Sequence, residues 1–218
     1  MMYFTDITGL AGIALAIVTF SLRLPFFSRL QLTLKIALAV GIFIVLAMPF
    51  EGISAVEFVR GVTGDLSITT LVLLTLFLIL PRPVSGGRAA MGAETLLYHR
   101  ANPTPYRPPT KGKLLTLIVI AACALYPFAL GLGTFDPYRL GFGNLWFIGG
   151  LLIVVLGAWF RQYTLIALSI ALAVLAWSVG WYESTNLWNY LIDPWVSIYA
   201  IVALLKRSIV RMAGSRSK

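Results

Sequence analysis

The sequence predicts an all-α fold, a bundle of about seven transmembrane helices with the N-terminus outside and the C-terminus inside. Three observations carry this expectation. Of 218 residues, 59% are hydrophobic and only 11% charged, whereas soluble domains carry about 25% charged residues. Apolar runs of helical length recur along the whole chain, and Lys and Arg gather in every second connection between them. Each run reads as a helix because backbone groups in lipid must be satisfied within their own segment.

The first run, 7–22, follows "MMYFTDITGL", which carries Asp6 and no basic residue. It lacks the basic start of a signal peptide and is expected to be retained. The second, 33–50, lies between Arg29 and Lys35 on one side and Glu51 on the other. The third, 65–81, opens at Asp65 in "GDLSITTLVLLTLFLIL". After it comes a basic, proline-rich inner loop, 82–112, whose prolines favour an extended conformation that partners recognise. Within this loop "AAMGAETLLYH" suits a short amphipathic helix on the membrane surface. Tyr98, His99, Arg100, Tyr106 and Arg107 are its candidate partner-binding residues.

The fourth run, 113–133, leads into "GTFDPYRLGFGN", where Asp136-Pro137 initiates a turn. The fifth and sixth are 145–160 and 164–182. The seventh, 190–205, contains Asp193 and Pro194, a proline tolerated in a first helical turn. A basic tail, 206–218, ends the chain.

Charge sets the orientation, because Lys and Arg favour the cytoplasmic side. Fifteen of the 17 basic residues and only Glu94 of the 8 acids fall inside, giving +14. Arg60, Arg139 and the other seven acids fall outside, giving −5, and the two faces sum to the chain's net +9. Trp146, Trp181, Trp188 and Trp195 lie near outer helix ends, where amphipathic rings prefer to sit. The basic residues are spread over every inner loop, which argues against nucleic-acid binding and for contact with anionic lipid headgroups.

The whole chain, 1–218, reads as a single membrane domain with a 3+1+3 plan. "IALAV" occurs at 36–40 and 170–174, followed in each case by a Glu, an Asp and an "SI" pair. Residues 7–81 would form one three-helix unit, 113–133 a linker helix and 145–205 a second unit in the same orientation.

Little in the chain suits catalysis. Span interiors lack the ionisable groups that ion-coupled pumps need, and their polar residues are neutral: Thr19, Thr69, Thr70, Tyr126, Ser169, Ser178 and Tyr199. Cys123 and His99 are single, so no thiol cluster or His-based zinc site can assemble. No catalytic, cofactor-binding or metal residue is assigned, and no cofactor is expected. The charged candidates form an outer polar cap of Glu51, Arg60, Asp65, Asp136, Arg139, Glu183 and Asp193. Within it, Asp65 and Asp193 each stand where a helix begins, so capping is the simplest reading of both.

The expected function is that of a non-enzymatic accessory or scaffold subunit. Its setting would be a cell-envelope assembly or modification complex in a bacterial cytoplasmic membrane, with lipids and a membrane protein as partners. The alternative is a small facilitator for a neutral solute on the 3+1+3 plan.

Overall fold

Helices follow the apolar runs, and their ends fall where the sequence supplies a cap or a stop. The computed structural model describes residues 4–28, 30–50, 53–79 and 108–215, and within them the fold is all-helical apart from one two-stranded ribbon. The inner loop with Tyr98, His99, Arg100, Tyr106 and Arg107, and Glu51 of the polar cap, lie outside the described residues.

Helix α1 spans Phe4–Arg23, with Asp6 in its first turn and Arg23 in its last, each complementing the helix dipole. A short turn, α2 (Pro25–Ser28), leads to α3 (Leu32–Ala47). The expected end of this run at 50 is corrected to 47: Met48 precedes proline and is extended, with φ −67° and ψ 123°. Strands β1 (Pro49–Phe50) and β2 (Ile53–Ser54) then pair antiparallel.

They deliver the chain into an amphipathic helix that the hydropathy pattern does not announce, α4 (Ala55–Thr63). Its start is a capping box. The Ser54 hydroxyl accepts from Glu57 N at 3.2 Å, and Glu57 Oε2 accepts from Ser54 N at 2.6 Å. Gly64, at φ 72°, ends α4. Helix α5 (Ile68–Ile79) begins three residues after the expected start at Asp65.

Helix α6 (Pro108–Ala129) starts inside the segment expected to be loop, with prolines in its first turn, where their missing N–H groups cost nothing. A 3-10 turn (Pro137–Gly141) and α7 (Leu145–Phe160) follow, and α7 occupies the expected range. Helix α8 (Thr164–Ser178) stops before Gly180, which sits at φ 64°. A single turn, α9 (Trp188–Leu191), precedes α10 (Pro194–Ser215). The last helix therefore starts four residues late and carries Lys206 and Arg207, placed in the tail by the sequence reading, on its final turns.

Helix α5 is shared by two apolar cores. Ile13, Ala14, Val56, Leu66 and Leu74 join it to α1 and α4. A larger cluster, including Leu115, Leu125, Leu165, Ala173, Tyr190 and Ala200, joins it to α6, α8, α9 and α10. Ala173 and Ala200 are fully buried, and such small residues let helix backbones approach closely. The two expected triplets pack differently. In the first, α1 touches both α3 and α5; in the second, α8 packs on α7 while α10 packs chiefly on α6 and also on α5.

Two helices, α1 and the Thr110–Ala129 stretch of α6, are long and apolar enough to cross a membrane. Helices α3, α5, α7 and α8 are apolar but span 12 to 16 described residues, or about 18–24 Å at 1.5 Å per residue.

Candidate functional site

Charges read from the sequence as outer converge where α4 lies on α1. Arg60 sits one turn from the end of α4 and reaches two acids on other elements. Its Nε and Nη2 donate to the two oxygens of Asp65, at 2.7 and 3.3 Å, and its Nη1 donates to Asp6 Oδ1 at 3.0 Å. Planar guanidinium donors suit this two-point grip on a carboxylate. The Asp65 and Asp6 hydrogen bonds hold the Arg60 guanidinium protonated, well above its ordinary range.

Gly9 makes room for the knot. A Cβ at that position of α1 would stand 2.3 Å from Asp65 Oδ1 and 2.6 Å from Arg60 Nε.

Asp193 is buried and fully engaged. Its Oδ1 accepts from Val196 N at 2.8 Å, which makes it the N-cap of α10 with Pro194 as the first helical residue. Its Oδ2 accepts from Ser67 N at 2.8 Å and from the Thr70 hydroxyl. Ser67 in turn caps α5, its hydroxyl accepting from Thr70 N at 3.2 Å. One carboxylate thus ties the starts of two helices together.

Asp65 does not cap α5, contrary to the capping expectation for this residue. It stands in the extended 64–67 segment, where Ser67 takes the cap position and Arg60 captures the carboxylate.

Two tyrosines with rings tilted by 32° brace this corner. Tyr182 Oη donates to Leu66 O at 2.7 Å, Tyr190 Oη donates to Tyr182 O at 3.1 Å and Ser184 O at 2.9 Å, and the ring centroids lie 5.1 Å apart. Beside them opens a cavity of about 330 Å³, lined by Asp65, Tyr126, Tyr138, Tyr182, Asn189 and Asp193 together with apolar residues such as Leu125 and Ile192. Comparison of the chain with family models, curated proteins and solved structures returned no match.

Of the outer cap read from the sequence, the structure joins Arg60 to Asp65 and brings Asp65 and Asp193 to one cavity. Asp136 caps the 3-10 turn, its Oδ1 accepting from Tyr138 N at 2.9 Å. Arg139 and Glu183 are exposed on separate loops. Asp6, Ser67, Thr70 and Tyr182 belong to the site and were not among the residues assigned to it from sequence. A signal existed for two of them, since Ser67 three residues before Thr70 has N-cap spacing.

Neutral groups in the helices mostly serve their own backbone. Ser169 donates to Leu165 O at 2.8 Å and Ser178 to Leu175 O at 2.7 Å, a common arrangement in apolar helices. Thr19 is fully buried, and its hydroxyl has no hydrogen-bond partner among the described residues. Among the described residues no group of three or more His, Cys, Asp or Glu could hold a metal ion.

Proposed function

We propose that the chain is a non-enzymatic, multi-pass membrane protein, an accessory or scaffold subunit of a cell-envelope assembly or modification complex in a bacterial cytoplasmic membrane. The observation that carries this reading is the engagement of the outer charges. Asp6 and Asp65 are held by Arg60, and both Asp193 oxygens are taken by donors of two helix starts. Such carboxylates hold a bundle together and have little capacity left for proton transfer.

Membrane insertion is supported by apolar side chains turned outward. Trp146, Ile153 and Phe160 on α7 are more than 70% exposed, and Val40, Phe43 and Val45 on α3 are exposed as well. Patches of this extent belong against lipid or a partner. Spans shorter than the bilayer core are accommodated by local thinning or by long flanking side chains. The basic, proline-rich segment 82–107 would supply an inner contact element, and the positive inner face would meet anionic headgroups.

Affinity purification of the intact chain from its native membrane should recover a stoichiometric membrane-protein partner, and a variant lacking residues 84–107 should insert normally but lose it. Recovery of no stoichiometric partner refutes the scaffold role. A second reading, a small facilitator for a neutral solute, draws on the tyrosine-lined outer cavity of about 330 Å³. Proteoliposomes carrying the protein would then admit glycerol faster than empty vesicles.

A further inference from the structure

The cavity of about 330 Å³ lies where the loops meet the starts of α5 and α10. Its size falls within the roughly 300–1,000 Å³ of sites that take small molecules. Gly64, Ala129, Asn189 and Pro194 line it and are exposed, so it has a mouth. Its walls are of two kinds. Leu125 and Ile192 are aliphatic, and three tyrosines reach it from separate elements: Tyr126 of α6, Tyr138 of the 3-10 turn and Tyr182 of the connection after α8.

The polar lining residues occupy one another only in part. Asn189 Nδ2 donates to Ser184 Oγ at 2.7 Å, and Asn189 Oδ1 accepts from Tyr138 Oη at 3.3 Å. A second amide N–H and a second lone pair remain. Ser184 Oγ accepts from Asn186 N and Asn189 Nδ2, and its own O–H meets no acceptor among the described residues. Asp65 gives each oxygen to Arg60 once, which leaves a lone pair on both.

Charge narrows the choice of ligand. The two carboxylates in the lining are already compensated: Asp65 by Arg60, and Asp193 by N–H groups at the starts of α5 and α10, where helix dipoles favour a negative group. No Lys or Arg lines the cavity. An entering cation would find little net field, and an anion would meet two acids. A neutral molecule with apolar faces and a rim of hydroxyls matches both kinds of wall.

We infer that this cavity binds a single neutral sugar ring, its C–H faces lying on the tyrosines and aliphatic residues and its hydroxyls bonded to Asn189, Ser184 and Asp65. A hydroxyl both donates and accepts, so it can give to Asp65 while taking from Asn189. The walls are set before a ligand arrives. Asn186 Nδ2 donates to Tyr138 O at 2.9 Å, and Tyr182 Oη donates to Leu66 O at 2.7 Å, which fixes two of the three tyrosines. Such preorganisation lowers the cost of binding. The inference goes beyond the proposed function, because a scaffold subunit can hold a sugar without moving it and binding in detergent involves no transport.

The test uses the intact protein in an oligo-oxyethylene detergent and saturation-transfer NMR with methyl β-D-glucopyranoside, methyl β-D-galactopyranoside, methyl α-D-mannopyranoside and N-acetyl-D-glucosamine. At least one should bind saturably, and more tightly than tetramethylammonium or cyclohexanol. Asn189→Ala removes a donor and an acceptor from an exposed position and should weaken that sugar by about tenfold, the usual weight of one or two neutral hydrogen bonds. Ala129→Trp fills the mouth without removing a polar group and should abolish binding. Glu183→Gln, in the same connection but outside the lining, should leave it intact.

No saturable sugar, or tetramethylammonium or cyclohexanol bound as tightly as the best sugar, overturns the inference. So does full binding in both Asn189→Ala and Ala129→Trp, or equal loss in Glu183→Gln. Partner recovery from the native membrane separates the two levels of failure. A partner recovered without sugar binding refutes the site alone, and sugar binding without a partner refutes the scaffold role alone.

Discussion

Both oxygens of Asp193 face donors, and two of those donors are backbone N–H groups, of Ser67 and Val196, that cannot turn away. An Asn at this position offers one acceptor oxygen and one amide NH₂, so one of the two N–H groups would meet another donor. Asp193→Asn should therefore cost about 1–3 kcal/mol, the penalty of a buried unsatisfied group, and Asp193→Ala at least as much. Thermal unfolding in detergent measures both, and an Asn variant as stable as the parent would show that the tie between α5 and α10 carries no weight. Gly9 allows a sharper test by sign. In an exposed helix Gly→Ala stabilises by up to about 1 kcal/mol, yet here the added Cβ would stand 2.3 Å from Asp65 Oδ1. Gly9→Ala should lower the unfolding temperature in the parent and raise it in an Arg60→Ala/Asp65→Ala background. Destabilisation of equal size in both backgrounds would assign the glycine to backbone packing instead of to the ion knot.

Helix α4 owes its start to one reciprocal pair, Ser54 and Glu57. The Ser54 N–H, and after it the Ser54 hydroxyl, hold the Glu57 carboxyl below its ordinary range. A carboxyl lowered in the folded state contributes stability that is present above its ordinary pKa of about 4.3 and is lost as pH falls through the lower folded value. Amide-exchange protection across 55–63 should hold at neutral pH and decline below pH ~4, and Glu57→Gln should flatten that response. An unchanged acid response in the variant would place the titrating group elsewhere. This helix also shows where the sequence is legible and where it is not. α7 was readable to the residue because an unbroken apolar run follows an Asn144 cap, whose side chain accepts from Trp146 N and Phe147 N. α4 carries a readable S-x-x-E signature at Ser54–Glu57, but a search for long apolar runs passes over a nine-residue amphipathic helix. Asp65 and Asp193 look alike locally. Asp65 is taken by nearby Arg60, which also bridges to the distant Asp6, while Asp193 reaches Ser67 far along the chain, and such ties leave no periodic trace.

At the scale of the whole molecule, two helices among the described residues are long and apolar enough to cross a membrane. The charge pattern bears on this independently of helix length, since the connections read from the sequence as inner sum to +14 and those read as outer to −5, within the net +9. The fold is compatible with that division at its ends. The ion knot, the Asp193 tie and the 137–144 and 179–193 loops lie at one end of the helices, and Arg23, Lys111 and Arg207 lie at the other. The loops at the first end are fastened to each other, with Asn186 Nδ2 donating to Tyr138 O at 2.9 Å and Trp188 Nε1 to Pro137 O at 3.0 Å. A thiol placed beside them therefore reports on a fixed surface. In a Cys123→Ala background, a membrane-impermeant maleimide applied to intact cells should label cysteines introduced at Thr134 and Ser184 and miss those at Ser85 and Ser215. Opening the cells should reverse the protection of the last two. Were only α1 and α6 to span, Ser85 would still face the side opposite 134 and 184, but Ser215 would share their side. Labelling of Ser85 in intact cells would overturn the orientation read from charge, and labelling of Ser215 together with 134 and 184 would overturn the seven-span plan.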